Sequence, residues 1–310
     1  MKQTHVEVDT SFTAPSNRVE LNNDSIGYVE NYDFSKANLS NENRIAAIST
    51  VASVCYQSPS AAGSISLYDR LANESAGLPS SSFEFVPVLI RLDPDKEHTI
   101  REVFNIACGE HVHDYEDLAC FKYGEKVEDC NYLLCNLRAL IADVGDKADD
   151  YFNTEEECAI IAKHFKVFKS KVTMYTRSQA IRHRVSWQEL SRRYVSGKKA
   201  GFEFYIEPRL AGLESYHDDY FIDGMTDYET EFTNSHNTEA LIDMSVTHYN
   251  QAIASGVKPE VARGIIPQCC YTTVWSAWQP SALDSFFQLR LDRHAQTEVR
   301  ELAQGMKELL

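Results

Sequence analysis

The 310-residue sequence has no run of eighteen or more apolar residues, so no membrane span is expected. Its opening, MKQTHVEVDTSF, lacks the apolar core of a secretory signal, and the two absences together predict a cytoplasmic protein. There are no internal repeats. The eight cysteines do not form the framework of a small secreted fold, since only Cys269 and Cys270 are adjacent and the rest are scattered; reduced thiols are expected. Basic residues are in deficit: 30 Lys and Arg against 46 Asp and Glu leave a net charge of -16, which argues against non-specific binding to nucleic acid. The deficit is uneven. Residues 92–165 hold 18 acidic and 7 basic side chains, so an anion site belongs outside that stretch.

The remaining composition is that of a soluble globular chain, long enough for one large domain or two small ones. A short strand is expected near Val6–Phe12, then a polar Asn/Ser-rich loop up to residue 40. Ile45, Ile48, Ala52 and Cys55 recur at helical spacing after Asn43, and a second helix is expected over Leu67–Ala72. Gly77–Ser82 reads as a loop and Phe83–Leu92 as a strand. The acidic stretch is not low in complexity. It contains an expected helix at Cys130–Val144 and another starting at Asn153 or Thr154, either of which offers an N-cap before three glutamates. It therefore reads as a folded insertion. A strand is expected at Phe165–Val172, then a helix towards Arg184. Thr238–Ile253 is helical by pattern, stopping at Gly256, with Pro259 in the first turn of the next helix. Ala282–Leu310 has helical periodicity with a break near Asp292.

The segment Gln179-Ala-Ile-Arg182-His183-Arg184-Val-Ser-Trp-Gln188-Glu189-Leu190-Ser191-Arg192-Arg193-Tyr194 carries four arginines and a histidine within twelve residues. Guanidinium groups stay charged at physiological pH and bind phosphate or carboxylate bidentately. Backbone amides near Arg192 and the Ser191 hydroxyl suit a phosphate cradle. By composition alone, a solvated helix face with ion pairs explains such a run equally well.

The order of these residues resembles the signature of the flavin-dependent thymidylate synthases: R-H-R, a spacer, then Q-E-L-S-x-R-Y. Val54-Cys55-Tyr56-Gln57-Ser58 resembles the end of that family's first helix, and Phe202–Ile206 the strand after the signature. Val257–Pro267 resembles a segment whose arginine, here Arg263, reaches a nucleotide in a neighbouring subunit. Leu289–Val299 resembles the C-terminal active-site helix. The family has seven residues between R-H-R and the serine; here there are six, Val185–Leu190. Two histidines of the family's H-x-[S/T]-x-x-E-H motif are replaced, with Pro79, Ser81, Glu84 and Phe85 at those positions. Gln279-Pro280-Ser281 stands for the family's Asn-x-Arg, and Ser285 for a flavin-contacting asparagine.

The resemblance implies an α+β fold, a twisted, mainly antiparallel sheet flanked by helices, in one domain over 1–310 with the acidic insertion at 93–165. It implies FAD as cofactor, with NADPH and methylenetetrahydrofolate as co-substrates and dUMP as substrate, in a homotetramer. Ser81, Glu84, Arg182, His183, Arg184, Glu189, Gln279, Ser285 and His294 would line the FAD. Gln179, Arg182, Glu189, Leu190, Ser191, Arg192, Arg193, Arg263 and Arg290 would hold dUMP. Arg290 is the implied catalytic residue, its guanidinium facing the uracil; an ion pair with Asp292 or Glu298 is the plain alternative. No metal is expected, because His183 is flanked by two cations and Cys108, His111, His113 and Cys120 lack the tight pairing of zinc ligands. Two other readings stay open: a flavin and folate enzyme for another pyrimidine nucleotide, and a non-catalytic nucleotide-binding homologue.

Overall fold

The computed structural model describes residues 13–21, 26–57, 63–73, 78–92, 117–211 and 237–310. They form the expected α+β class, antiparallel pairs of strands with flanking helices, in two compact units. The first unit is Met1–Val172, Thr176–Ser191 and Thr272–Leu310; the second is Thr173–Tyr175 and Arg192–Tyr271. The strands are β1 (Asn17–Glu20), β2 (Tyr28–Tyr32), β3 (Pro87–Arg91), β4 (Glu125–Val127), β5 (Tyr132–Asn136), β6 (Lys166–Thr173), β7 (Ser186–Glu189) and β8 (Tyr271–Trp278). The longer helices are α1 (Asn41–Tyr56), α2 (Ile65–Ala72), α3 (Leu137–Val144), α4 (Glu155–His164), α5 (Met174–Ala180), α6 (Thr238–Ala254), α7 (Pro280–Arg290) and α8 (Thr297–Glu308).

One sheet has the order β1-β2-β6-β8-β7 and the other β3-β5-β4. Within the first unit, α8 lies close over β2: a Cβ on Gly305 would stand 2.9 Å from Val29 Cγ1 and 3.1 Å from Leu21 Cδ2. Glycine is what permits that approach. Val29, Phe168, Val274, Trp278, Phe286, Leu302 and Met306 make the core there. A larger core joins α1, residues 83–90 and the described part of the acidic stretch, with Ile48, Val51, Phe83, Leu89, Leu134 and Leu140 all buried.

Several elements depart from the sequence-based expectations. Val6–Phe12 lies outside the described residues, but the polar region after it contains β1 and β2, paired antiparallel. The segment at Cys130–Val144 is not one helix. Tyr132–Asn136 is a strand between β3 and β4, and Asn136 then caps α3 by accepting from Ala139 N at 3.0 Å. A short apolar run does not distinguish strand from helix, and pairing with β3 decides it. Phe83 and Phe85 lie on a 3-10 turn, Ser81–Phe85, before the strand begins at Pro87. Phe204 makes only an isolated bridge to Cys270. The helix expected to run towards Arg184 ends at Ala180. The C-terminal break spans residues 291–296, between α7 and α8.

Residues 117–165 are built into the first unit by polar contacts as well as apolar ones. Thr154 and Glu157 form a reciprocal capping box at α4, with Glu155, Glu156 and Glu157 in its first turn and Lys163 and His164 in its last, matching the helix dipole. Asn153 does a different job. Its Oδ1 accepts from Leu89 N at 3.2 Å and its Nδ2 donates to Pro87 O at 3.0 Å, while the Tyr151 hydroxyl donates to Leu89 O at 2.7 Å. These side chains satisfy an edge of β3 that would otherwise be open.

Arg44 on α1 is 1 % exposed. Its guanidinium donates to Asn38 Oδ1 at 2.6 Å, to Ala148 O at 3.1 Å and to Tyr151 O, and sits 4.3 Å from the centre of the Phe152 ring. Burial lowers its pKa, with Tyr68 and Asp149 acting in the opposite sense. The cation is held by neutral oxygens, with no carboxylate among these partners.

The second unit is smaller. Tyr249, Ala262, Ile266 and Cys270 form its buried cluster, with Phe202 edge-on to Tyr249 at 5.0 Å between ring centres. α6 is followed by Gly256 at φ 88°, and Pro259 opens a single helical turn, Pro259–Ala262. A cavity of about 580 Å³ is lined by Phe202, Phe204, Ile242 and Val246, with Lys198, Asp243 and Asn250 at its polar side.

Replacing Arg44 by Met would take this donor from the buried Asn38 Oδ1 and Ala148 O, and a loss of about 3 kcal/mol of stability is expected. Urea unfolding checks this. Arg44→Lys is also expected to be destabilised, since one ammonium does not reproduce a planar array of donors; a Lys variant matching wild type would remove the carbonyl contacts from the account.

Candidate active site

The arginine-rich segment is organised by strand alternation. β7 pairs antiparallel with β8, with Trp187 opposite Ser276, Gln188 opposite Trp275 and Glu189 opposite Val274. Successive side chains therefore point to opposite faces. On one face Gln188 is buried, donating from Nε2 to Ser81 Oγ at 2.6 Å and accepting from Cys55 Sγ at 3.1 Å. This joins the end of α1, the 3-10 turn and the signature strand. On the other face, Trp187 meets Trp278 edge-on at 5.6 Å. Glu189 accepts from Thr272 Oγ1 at 3.2 Å and forms an ion pair with Arg177.

Arg182, His183 and Arg184 lie on the turn between α5 and β7. The two arginines are exposed and His183 is turned inward. The His183 ring packs edge-on to Phe286 at 4.9 Å, and its carbonyl accepts from Trp187 Nε1 at 3.0 Å. Arg290, at the end of α7, donates from Nε to His183 Nε2 at 3.0 Å and from Nη2 to Gln179 O at 3.0 Å. An imidazole that accepts at Nε2 carries its proton on Nδ1 and is neutral. Burial, then the Arg290 charge, lowers the His183 pKa from its ordinary 6.5, which favours that form. The Arg290 pKa is lowered by burial and then by Arg182. Two cations thus stand together, and among the described residues Arg290 has no carboxylate within ion-pair distance. Asp292, its plain alternative partner, is bound by His294 at 2.8 Å.

The implied residues do not all converge. Gln179, Arg182, His183 and Arg290 are brought together as described, with Arg184 on the same turn. Leu190 is buried and Ser191 half-buried just beyond β7. Ser81 is reached through Gln188. Glu84 and Gln279 contact the acidic stretch instead: Arg138 Nη1 donates to Glu84 at 2.7 Å, and Gln279 Nε2 donates to Tyr123 O at 3.0 Å. Ser285 and His294 are exposed. Arg192, Arg193 and Arg263 belong to the second unit. There Arg192 donates to Gly201 O at 2.8 Å and lies 4.7 Å from the Phe202 ring centre, Arg193 pairs with Glu260 at 3.6 Å, and Arg263 is exposed.

The sequence reading missed Arg177 and Arg138, the ion-pair partners of Glu189 and Glu84. Arg177 carried no signal that separated it from an ordinary helix-surface charge. Arg138 did carry one: it is the sole Lys or Arg between Lys126 and Lys147, two residues after Asn136, which caps the helix. Among the described residues no group of three or more His, Cys, Asp or Glu side chains is placed to hold a metal, and no helix is long and apolar enough to cross a membrane. Cys108, His111 and His113 lie outside the described residues.

Residues 160–310 match the family model described as thymidylate synthase complementing protein. Similar proteins carry a more particular name. The flavin-dependent thymidylate synthase of Aquifex aeolicus (strain VF5) is 31% identical over 147 residues, 47% of this chain and 45% of that protein. Those of Thermotoga neapolitana and Thermosipho africanus (strain TCF52B) are 31% and 30% identical over 137 residues, 44% of this chain and 56% and 58% of theirs. The chain spans about half the length of the curated relatives it matches. Cys55, Ser81, Glu84 and Arg138 precede the segment matched by the family model.

His183 is expected to titrate below 6.5 when its ring signals are followed by NMR against pH. Since its folded pKa is lowered, its contribution to stability is complete above the unfolded value and is lost as pH falls through the folded one. Arg290→Met, which keeps an apolar stem but removes the charge, should move the midpoint upward. A midpoint unmoved by that substitution would mean Arg290 does not act on the ring.

Proposed function

We propose that the chain is a flavin-dependent thymidylate synthase, which methylates dUMP reductively to dTMP with methylenetetrahydrofolate as carbon donor and NADPH as reductant. The observation that carries this reading is Arg290, a partly buried guanidinium held by two neutral acceptors, His183 Nε2 and Gln179 O, beside a second cation, Arg182. It lies within the segment that matches the family model. Positive charge so placed calls for an anionic or electron-rich ligand, and FAD and dUMP both fit. FAD, when bound, supplies the hydride and the one-carbon chemistry.

The protein's share is position and charge. Exposed Arg182 and Arg184, bracketing His183, are a donor set suited to a pyrophosphate. We assign Ser81, Glu84, Glu189, Gln279, Ser285 and His294 to the same cofactor by resemblance. The Arg290 guanidinium, facing the uracil carbonyl edge, stabilises negative charge as it develops on the ring and activates C6 towards hydride. Neutral His183 fixes the plane of that guanidinium without competing for the anion. Ser191 binds and does not attack, since no base is paired with it. Arg192, Arg193 and Arg263 keep their assignment to the nucleotide from the resemblance. The assembly in this reading is a cytoplasmic homotetramer.

The purified protein should be yellow, and should release tritium from [5-³H]dUMP when NADPH and methylenetetrahydrofolate are present. Arg290→Ala should lower that release about 100-fold, the usual scale for removing one such charge-stabilising donor. A colourless protein that binds dUMP would favour the non-catalytic homologue. A yellow protein inactive on dUMP and active on dCMP would favour the other pyrimidine enzyme. A monomer by light scattering would count against the tetramer.

A further inference from the structure

The acidic stretch grips two site segments. Ser81 and Glu84 sit on a single 3-10 turn whose first residue has no side-chain cap. Arg138, at the start of α3, spans that turn. Its Nε donates to Pro79 O at 2.9 Å and its Nη1 to Glu84 at 2.7 Å. From the opposite side, Gln188 holds Ser81. A second contact lies at the start of α7, which ends in Arg290. Glu125 accepts from Ser281 N at 3.0 Å and from Ser281 Oγ at 2.8 Å, and Gln279 donates to Tyr123 O and Leu134 O.

We propose that Arg138 is a positioning residue of the flavin site, so that the described part of the acidic stretch is a working wall of that site and not surface decoration. The inference rests on the function proposed above. Two physical effects support it. The first is geometric: Arg138 fastens residue 79, just before the turn, and residue 84 within it, and so constrains where Ser81 stands. The second is electrostatic. An unpaired Glu84 carboxylate would repel a cofactor that carries phosphates, whereas the Glu84–Arg138 pair is neutral as a unit. The pair is partly shielded from water, with side-chain exposures of 23% and 37%, which preserves some of that compensation. The arrangement also accounts for a carboxylate being tolerated in a chain whose neighbouring motif positions hold Pro79 and Phe85.

The test compares intact wild type with Arg138→Gln and Arg138→Lys, and with the doubly neutral Glu84→Gln/Arg138→Met protein. Flavin is removed, then titrated back while the absorbance and fluorescence of the bound flavin are recorded; kcat and KM for dUMP and thermal midpoints are measured beside them. Arg138→Gln should weaken flavin binding tenfold or more and alter the bound flavin spectrum. Arg138→Lys, which restores the charge but holds one partner at a time, should recover part of the loss. The doubly neutral protein should bind flavin more tightly than Arg138→Gln, because no unpaired carboxylate remains. Flavin affinity within twofold of wild type in Arg138→Gln, with only the thermal midpoint lowered, overturns the proposal and reduces Arg138 to a structural clamp. If Arg138→Gln does not fold, the doubly neutral and Lys proteins decide: unchanged spectra and affinity in both overturn it. Wild type that takes up no flavin at all defeats the functional reading itself, which separates that failure from this one.

Discussion

The register of β7 against β8 is the constraint on which the candidate site depends. Four residues of pairing send Gln188 to one face and Trp187 and Glu189 to the other. A slip of one residue would exchange those faces, carrying Glu189 away from Arg177 and Thr272 and bringing an indole to where Cys55 and Ser81 need an amide. The spacer between R-H-R and the serine is one residue shorter than in the family it resembles. In the turn before Ser186 the arginine pair is exposed and the histidine alone is drawn inward.

Much of this was legible beforehand, where the local signal and the tertiary outcome agree. The capping box at Thr154, the helix after Asn43, the break near Asp292 and the end of α6 before Gly256 are all written in residues a few positions apart. Expectations failed where long-range pairing overrode local pattern. Tyr132–Asn136 has the apolar content of a helix and became a strand because β3 lay open beside it. Phe202–Ile206 has the composition of a strand and makes a single bridge.

The site divides along the same line. That Arg182, His183 and Arg290 matter could be argued from order and charge. That Arg290 donates to a neutral imidazole could not, since the two residues are 107 apart and either could have found a nearer partner. Arg177 was invisible for the converse reason: a lone arginine on a helix looks the same whether it faces water or holds a carboxylate. Acidic residues drew attention to 93–165 by their number, yet the side chain there that contacts a site segment most directly is a base.

Arg44 carries a further meaning for the order of events in folding. Its partners at Ala148 and Tyr151 lie 104 and 107 residues later in the chain, and the open edge of β3 is closed by Asn153, 64 residues after Leu89. As the chain leaves the ribosome, Arg44 therefore stays hydrated, and β3 keeps an unpaired edge, until residues up to 153 have been synthesised. High sequence separation of this kind slows folding, because the loop must close before any contact repays its entropy.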